Sequence, residues 1–411
     1  MKFFAQLGAQ IDEPWRGRDF EHACFPEIAV AALERMPPAE HVSPEDVARW
    51  VCTTDALALQ RNVGSPFGNP PVTVFSSGQF SIDVLFWLDG TTTIHEHGFC
   101  GAFHVLAGSS VESRYRFTTA MRLGDHVRTG ELSLVGVEHL RQGNTRPIHP
   151  GDALIHALFH LERPSVSVVV RTEGHPFVGP QLNYCRSGLA YDPFFRREHA
   201  IRKMQILEML DKTGSEDRFD IAQKALENED SLSTLLILDS IASRSAEDPR
   251  FQSVLDAVPE RHGPLLARFQ KFIDERARER NIASRRRLIT RPEHRFLLAL
   301  LLTVPSRREL LRIVGEAYAG AAPAETVAAW VAELAAMKAP GTDEPNVLGI
   351  HLDETSLGVL RHLLDGVSDG QVLERLGAEF GAADVAEQRD DLLLLCRGFR
   401  ASSLFAPMFL P

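Results

Sequence analysis

The chain has 411 residues, which is more than one ordinary hydrophobic core requires, so we expect two or three structural units. With 44% hydrophobic and 24% charged residues it has the composition of a globular protein, not of a disordered or membrane-embedded one. The net charge of −11 argues against a general nucleic-acid-binding protein, which normally presents a basic face. The five cysteines form no CxxC pair, and no apolar signal segment develops near the start. We therefore expect reduced thiols, a cytoplasmic location and no membrane partner.

Residues 1–60 are predicted to form an N-terminal helical segment. The stretch Pro26–Met36 is rich in alanine and leucine, and a second helix is expected to begin at Ser43. Ser43 can cap that helix, Pro44 suits its first position, and the acidic Glu45 and Asp46 face the positive end of the helix dipole.

Residues 61–190 have the pattern of a β-domain. Valine, isoleucine, phenylalanine and threonine alternate there with polar residues, and glycine, aspartate and asparagine mark turns between the apolar runs. The segments that read most clearly as strands are Phe80–Leu88, Val111–Phe117, Glu131–Val137 and Val166–Arg171. Many short strands with regular turn signals predict a sandwich or a barrel.

Residues 191–411 are predicted to form a large helical domain. The segments with apolar residues at helical spacing are Phe194–Leu210, Leu232–Ala242, Leu265–Arg280, Phe296–Leu302 and Thr326–Met337. The arginine-rich run Arg276–Arg287 is interpreted as a solvated helix face, so nucleic acid is not expected as a partner. The role of this half is open between a lid, a homo-oligomer contact and a dock for a carrier or partner protein.

Three histidines carry the strongest chemical signal. His95 and His97 lie two residues apart on a predicted strand, so their side chains project to the same side. Two imidazoles on one face make half of a site for iron, zinc, copper or nickel. The turn Pro150-Gly151-Asp152 leads into another strand that carries His156. His160, four residues further and on the same strand face, is the alternative third ligand.

This pairing of two histidine-bearing segments resembles the two motifs of the cupin superfamily. The resemblance implies that His95, His97 and His156 are metal ligands on strands that line the barrel. Cupins usually add a glutamate ligand, but that position falls near Gly101 here, and Glu96 is expected to point to the opposite face. A site of three neutral histidines is the pattern of the thiol dioxygenase branch.

The order of further motifs is similar to that of cysteine dioxygenase over residues 55–175. Gln60-Arg61-Asn62 precedes a strand that ends in Trp87, and Ile94-His95-Glu96-His97 follows. The resemblance implies that Arg61 binds a substrate carboxylate, a role that a guanidinium fork suits. The alternative is that Arg61 forms an ordinary salt bridge at a domain boundary.

The chain departs from that family around the proposed metal. Where family members carry a histidine and a tyrosine on the last of these strands, the nearest positions here are Val169 and Arg171. The cysteine that animal enzymes pair with the tyrosine falls at about Gly101. Control of protons would then belong to His160, Arg171 or water, and L-cysteine is not assumed to be the substrate.

The sequence therefore predicts an α+β protein: a central cupin β-barrel, or double-stranded β-helix, between an N-terminal helical segment and an all-α C-terminal domain. The predicted function is that of an Fe(II)-dependent non-haem dioxygenase, with O₂ as co-substrate, that oxidises a small thiol-bearing carboxylate to a sulfinate. Two alternatives stay open. One is a cupin oxygenase or isomerase acting on a non-thiol metabolite, and the other is a non-enzymatic sensor of a small ligand with a helical effector domain.

Overall fold

The computed structural model describes residues 1–61, 63, 67–195 and 197–410. Asn62 of the Arg-Asn pair and residues 64–66 of the following Gly/Pro-rich loop lie outside the described residues. The structure confirms the predicted α+β architecture, with helices before and after a continuous run of strands. The strands are β1 Pro71–Ser76, β2 Phe80–Trp87, β3 Ile94–His97, β4 Gly101–Ala107, β5 Ser109–Arg122, β6 Val127–Arg141, β7 Thr145–Ile148, β8 Gly151–His160, β9 Ser165–Thr172, β10 Asn183–Cys185 and β11 Leu189–Tyr191.

Four helices precede these strands and twelve follow them among the described residues. The first group is α1 Lys2–Arg16, α2 Phe25–Arg35, α3 Pro38–His41 and α4 Pro44–Thr53. The second group is α5 Glu198–Lys212, α6 Arg218–Leu226, α7 Ser231–Ser245, α8 Phe251–Asp256, α9 Gly263–Leu288, α10 Pro292–Thr303, α11 Arg307–Ala317, α12 Pro323–Ala336, α13 Glu354–Leu364, α14 Asp369–Phe380, α15 Ala382–Glu387 and α16 Arg389–Ala401. None of the described helices is long and apolar enough to cross a membrane.

The strands form two layers. Five of them make an antiparallel sheet in the order β1-β2-β9-β4-β7, and the other six close on themselves in the order β10-β11-β6-β5-β8-β3. The long strands β5 and β6 pair along almost their whole length and provide most of the barrel wall. The sequence located only the middle of each, because the end segments, such as residues 118–122 of β5, lack the apolar alternation that marks a half-buried strand.

The five-stranded sheet is buried on both faces. Alternate residues such as Ile82 and Val168 pack against the N-terminal helices, in a core with Phe4, Leu7 and Trp15. The opposite residues face the six-stranded barrel and contact it through an apolar cluster: Leu85, Trp87, Phe103, Val105, Val169, Leu140 and Ile148. The space between the sheet and the barrel is therefore lined from both layers.

The N-terminal helices show the local chemistry that the sequence predicted. Ser43 accepts a hydrogen bond from the backbone N–H of Asp46, and the Asp46 carboxylate accepts from the Ser43 backbone, which completes a capping box. Pro44 occupies the first turn, as expected. The helix therefore begins where its own residues satisfy the exposed backbone N–H groups.

The C-terminal helices pack directly on the barrel and share its core. Val111 and Phe159 from the barrel join Phe296 and Val331 of α10 and α12 in one apolar cluster. A second cluster joins Val127, Leu189 and Tyr191 of the barrel to helices α5 to α9. No segment separates the two halves of the chain at these contacts, because side chains from both fill the same apolar spaces.

One prediction about the helical half is wrong in part. The run Arg276–Arg287 was expected to be a solvated helix face, but Arg285 and Arg286 at its end are buried, at 8% and 1% exposure. Their guanidinium groups donate to backbone carbonyl oxygens of other segments. Sequence spacing misses this because carbonyl acceptors carry no side-chain signature.

The buried His104 gives a test of this packing. It lies on the sheet face toward the N-terminal helices, where its Nδ1 contacts Thr145 Oγ1 at 2.8 Å and its Nε2 accepts from the Ala39 backbone N–H at 3.4 Å. Burial lowers the pKa of His104 from 6.5 to about 4. Below its ordinary pKa the unfolded chain binds a proton there and the folded chain does not, so folding stability falls as the pH falls.

We expect this histidine to account for about 1.5 kcal/mol of the stability lost between pH 6.5 and pH 5. Urea unfolding of the wild type and of His104→Gln at both pH values measures it, and the variant should lose correspondingly less. The exposed His41 supplies the control, since His41→Gln should keep the wild-type pH dependence. An unchanged slope in His104→Gln would contradict a neutral buried imidazole at this position.

Candidate metal centre

Three histidines from two paired strands meet in the space between sheet and barrel. His95 lies opposite His156 in the register of β3 with β8, and His97 follows two residues after His95. One imidazole nitrogen of each residue lies within 4.8 Å of those of the other two, close enough for one metal ion. All three side chains are buried, with at most 6% exposure. The antiparallel register brings together the two motifs that lie about sixty residues apart in sequence.

Hydrogen bonds orient two of these imidazoles. The Nδ1 of His95 contacts the Thr93 carbonyl oxygen at 2.8 Å, and the Nδ1 of His156 contacts Glu112 Oε1 at 2.7 Å. Each Nδ1 therefore carries the proton and donates it, which leaves the Nε2 lone pair of both rings for a metal.

Glu112 is a functional candidate that the sequence reasoning missed. It is 2% exposed and lies on β5, one strand away from the histidine pair. The sequence gives no signal for this role, because an acidic residue next to the apolar Val111 is expected on the solvent-facing side of a half-buried strand. In the structure the Glu112 carboxylate is buried and has the His156 ring as its partner.

Burial lowers the pKa of two of the site's histidines. Desolvation, with a further contribution from His156, lowers the pKa of His95 to about 3. Desolvation, together with the neighbouring His95 and His156, holds the pKa of His97 well below its ordinary value of 6.5. Neutral imidazole is the form that binds metal, so His95 and His97 are ready to bind a metal ion at physiological pH.

Several buried polar atoms around the histidines have no hydrogen-bond partner among the described residues: His97 Nδ1, Trp87 Nε1, His160 Nε2 and Glu112 Oε2. Buried polar groups without partners are rare in folded proteins and call for water, an ion or a ligand. Together with the three converging imidazoles, this set fits a bound divalent metal and a polar ligand beside it.

The structure explains why no acidic ligand joins the three histidines. At Gly101, where the cupin pattern would place a glutamate, an added Cβ would overlap the Val170 carbonyl oxygen of the neighbouring strand. Any side chain at this position would push the two strands apart. Glu96 lies on the other face of β3, as predicted, where its carboxylate accepts a 2.5 Å hydrogen bond from Tyr184 Oη.

Aromatic side chains surround the imidazoles. The ring centroids lie 6.4 Å apart for Phe67 and His95, 4.9 Å for Phe99 and His97, and 6.3 Å for Phe103 and His156. Trp87 packs edge-on against Phe67 at 5.0 Å. Aromatic rings therefore make up part of the immediate surroundings of each imidazole and lower the local dielectric constant.

Arg171 brings a positive charge to this apolar surrounding. It lies on the same face of β9 as Val169, toward the barrel, and its charge helps to lower the pKa of His97. Its Nε donates to Asp83 at 2.7 Å, and its guanidinium carbon lies 5.4 Å from the centre of the Phe99 ring. No described residue accepts a hydrogen bond from its two terminal nitrogens, so the outer side of the fork is available to a ligand.

The other two predicted site residues have no described contact with the three histidines. His160 is four residues beyond His156 on β8 and stacks on Trp87, with ring centroids 4.5 Å apart, outside the three-histidine cluster. Burial lowers its pKa to about 3. Arg61 forms a salt bridge with Glu173, and none of its described hydrogen bonds or ion pairs involves the three histidines. The structure thus shows Arg61 in an ordinary salt bridge, which was the alternative to substrate binding in the sequence analysis.

Comparison with known proteins finds similarity in part of the chain. No protein-family model matches, and a search of curated proteins finds no significant match. Among solved structures, hydroquinone 1,2-dioxygenase from Sphingomonas sp. is 15% identical, with a TM-score of 0.22, over 28% of this chain and 72% of that one. A cupin-2 domain protein from Shewanella frigidimarina is 12% identical, with a TM-score of 0.18, over 27% and 86%. A recombinant oxalate oxidase is 16% identical, with a TM-score of 0.22, over 40% and 81%. At these values no residue role is carried over to this chain.

Glu112 offers a direct test of the site geometry. Replacing it with alanine removes the acceptor that orients His156, so we expect divalent metal to bind about 10- to 100-fold more weakly. Calorimetric titration of the metal-free protein with Co(II) measures this affinity. Glu138→Ala is the matched control, since Glu138 is the residue opposite Glu112 on β6 but pairs with Arg114 and Arg146 near the surface. Equal affinities for the two variants would show that Glu112 does not orient the ligand.

Proposed function

We propose that this chain is an Fe(II)-dependent non-haem dioxygenase that oxidises a small thiol-bearing carboxylate, of the size of cysteine or 3-mercaptopropionate, to a sulfinate. The observation that carries the proposal is the convergence of three buried imidazoles, two of which have a lowered pKa, with no acidic ligand in the cluster as described. A metal held by three protein nitrogens on one side keeps positions open for other ligands. His95, His97 and His156 are the proposed ligands.

Bound iron would supply the Lewis acidity and redox chemistry by which both atoms of O₂ are added to a thiolate to give the sulfinate. The chain's own residues would hold and shield the reactants. Phe67, Phe99 and Phe103 restrict water around the imidazoles. Glu112 and the Thr93 carbonyl keep the two Nδ1 protons in place, so that these rings present Nε2.

We assign the carboxylate anchor to Arg171 and not to Arg61. Arg171 lies on the barrel side of its sheet, near His97, and its terminal nitrogens have no acceptor among the described side chains and carbonyls. Asp83 fixes the guanidinium from behind through Nε, which orients the rest of the fork. Arg61 is held by Glu173 instead. A carboxylate bound by Arg171 would place the rest of a small substrate beside the histidines.

His160 is proposed to take part in proton transfer. Its Nε2 is buried without a described partner and its ring stacks on Trp87, which fixes its orientation. With a pKa of about 3 it stays neutral at physiological pH, so it would act by relaying a proton through its hydrogen bonds and not as a strong base or a stored acid. A water molecule would have to join it to the three-histidine cluster.

A second candidate function follows from the aromatic surroundings. An aromatic ring beside each of the three histidines also suits a planar, apolar substrate, which would make the protein an oxygenase acting on a non-thiol compound.

Three expectations stay predictions from the sequence: a cytoplasmic location, and a homo-oligomer contact or a carrier-protein dock on residues 191–411.

The metal assignment is tested by the metal content of protein purified without added metal. We expect about one iron per chain in the wild type, loss of it in His95→Ala and in His156→Ala, and retention in His160→Ala, because only the first two remove proposed ligands. Oxygen uptake with a panel of thiols and of phenols then separates the two substrate classes. A wild-type protein that neither contains nor takes up Fe(II) would contradict the dioxygenase proposal.

The carboxylate anchor is tested by the kinetics of two arginine variants. Arg171→Gln should raise KM at least about tenfold with kcat less affected, because a charge-assisted hydrogen bond that serves ground state and transition state alike is lost. Arg171→Lys should fall between, since it keeps the charge and loses the fork. Arg61→Gln should leave KM within about twofold of the wild type. A large increase in KM in Arg61→Gln, with no change in Arg171→Gln, would show that Arg61 and not Arg171 binds the substrate carboxylate.

A further inference from the structure

We infer that Arg286, on helix α9 of the C-terminal half, is a positioning residue for the metal centre: it holds the two segments of the barrel that carry the histidines in a fixed relation to each other. The inference rests on the proposed metal site, because its subject is the geometry of that site. It also gives residues of the helical half a role in the chemistry of the barrel.

The contacts of Arg286 are made with two separate parts of the barrel. Its side chain is 1% exposed. One terminal nitrogen donates to the Gly90 carbonyl oxygen and, at 2.7 Å, to Thr91 Oγ1, both in the turn between β2 and β3. The other terminal nitrogen donates to the carbonyl oxygen of His160, the last residue of β8. A single planar fork therefore spans the turn that precedes one histidine strand and the end of the other.

These two contact points lie close in the chain to the histidines. The turn held by Arg286 continues into Thr93, whose carbonyl oxygen accepts the His95 Nδ1 proton. Two further hydrogen bonds join Thr92 to β8. The Thr92 N–H donates to the Leu158 carbonyl oxygen at 2.9 Å, and the Thr92 Oγ1 accepts from the Leu158 N–H at 2.7 Å. A shift of the turn would move Thr93 relative to His95 and the turn relative to β8.

Burial explains why the contact is rigid. The Arg286 guanidinium carbon lies 4.5 Å from the centre of the Phe159 ring, a residue of β8. Arg295, which is 0% exposed, donates to the Leu161 carbonyl just beyond β8 and to the backbone carbonyl of Arg286 itself. Both terminal nitrogens of Arg286 have acceptors, whereas its buried Nε has none among the described residues. Because a buried cation is strongly destabilising without acceptors, the carbonyls that the terminal nitrogens contact must keep their positions.

Helix α9 provides a matched control for this residue. Arg268, eighteen residues earlier on the same helix, also donates to backbone carbonyls of the barrel, those of Gly130, Ser187 and Gly188. These acceptors lie on β6 and in the turn between β10 and β11, and none belongs to the turn before β3 or to β8. Substitution of either arginine weakens the contact between helix and barrel. Of the two, only Arg286 contacts the turn before β3 and the end of β8.

The experiment compares metal binding by the full-length wild type, Arg286→Gln, Arg286→Lys and Arg268→Gln. Metal-free protein is titrated with Co(II), and affinity is read by calorimetry and site geometry by the visible absorption of the bound ion. We expect at least about tenfold weaker binding and a shifted spectrum in Arg286→Gln, as for the loss of other groups that orient metal ligands. Arg286→Lys should recover part of the affinity, and Arg268→Gln should match the wild type within about twofold. Thermal unfolding of the metal-free proteins checks that each variant is folded.

Each outcome decides the inference. Weak binding confined to Arg286→Gln, with partial rescue by lysine, supports a positioning role. Wild-type affinity and spectrum in Arg286→Gln would overturn it, and so would an equal loss in Arg268→Gln, which would indicate a general loosening of the barrel. If the wild type itself bound no Co(II) or Fe(II), the proposed function would fail first, so the two failures are distinguishable.

Discussion

The antiparallel pairing of β3 with β8 is the interaction on which the rest of the structure depends. It sets His95 opposite His156 and places His97 beside them, so three imidazoles meet at one point between the sheet and the barrel. A slip of one residue in this register would turn one strand's histidines to the opposite face. The hydrogen bonds from the turn before β3 to Leu158, and the close approach of Gly101 to Val170, both maintain the neighbouring geometry.

The site combines strong desolvation with a small number of satisfied polar groups. Histidine suits this environment because it can remain neutral, and burial lowers its pKa enough to keep it so. Charged residues enter the same space in compensated form: Glu112 accepts from His156, and Arg171 is paired with Asp83. The arrangement leaves a few buried polar atoms unpaired, which is the condition under which a metal and a small anionic ligand bind well.

The helical half belongs to the same folded body as the barrel. Apolar clusters continue from barrel strands into the helices, and buried arginines donate across the boundary to backbone carbonyls. Hydrogen bonds depend on direction, whereas apolar packing depends mainly on the area that is buried. The arginine contacts therefore fix the position of the turn before β3. The helices thereby restrict the part of the barrel from which the histidines project.

The sequence by itself determined the α+β class, the order of helical and β regions and the H-x-H segment with a third histidine, because alternation, capping and residue spacing are local properties. The capping box at Ser43 followed from the same local logic. Tertiary structure alone decided that His156 and not His160 joins the cluster, that Arg61 faces Glu173, and that Glu112 supports His156. It also decided that Arg286 is buried, against the sequence interpretation. Each of these depends on strand register, on a side chain distant in sequence or on a backbone carbonyl from a distant segment, and none of the three is visible in the local pattern of residues.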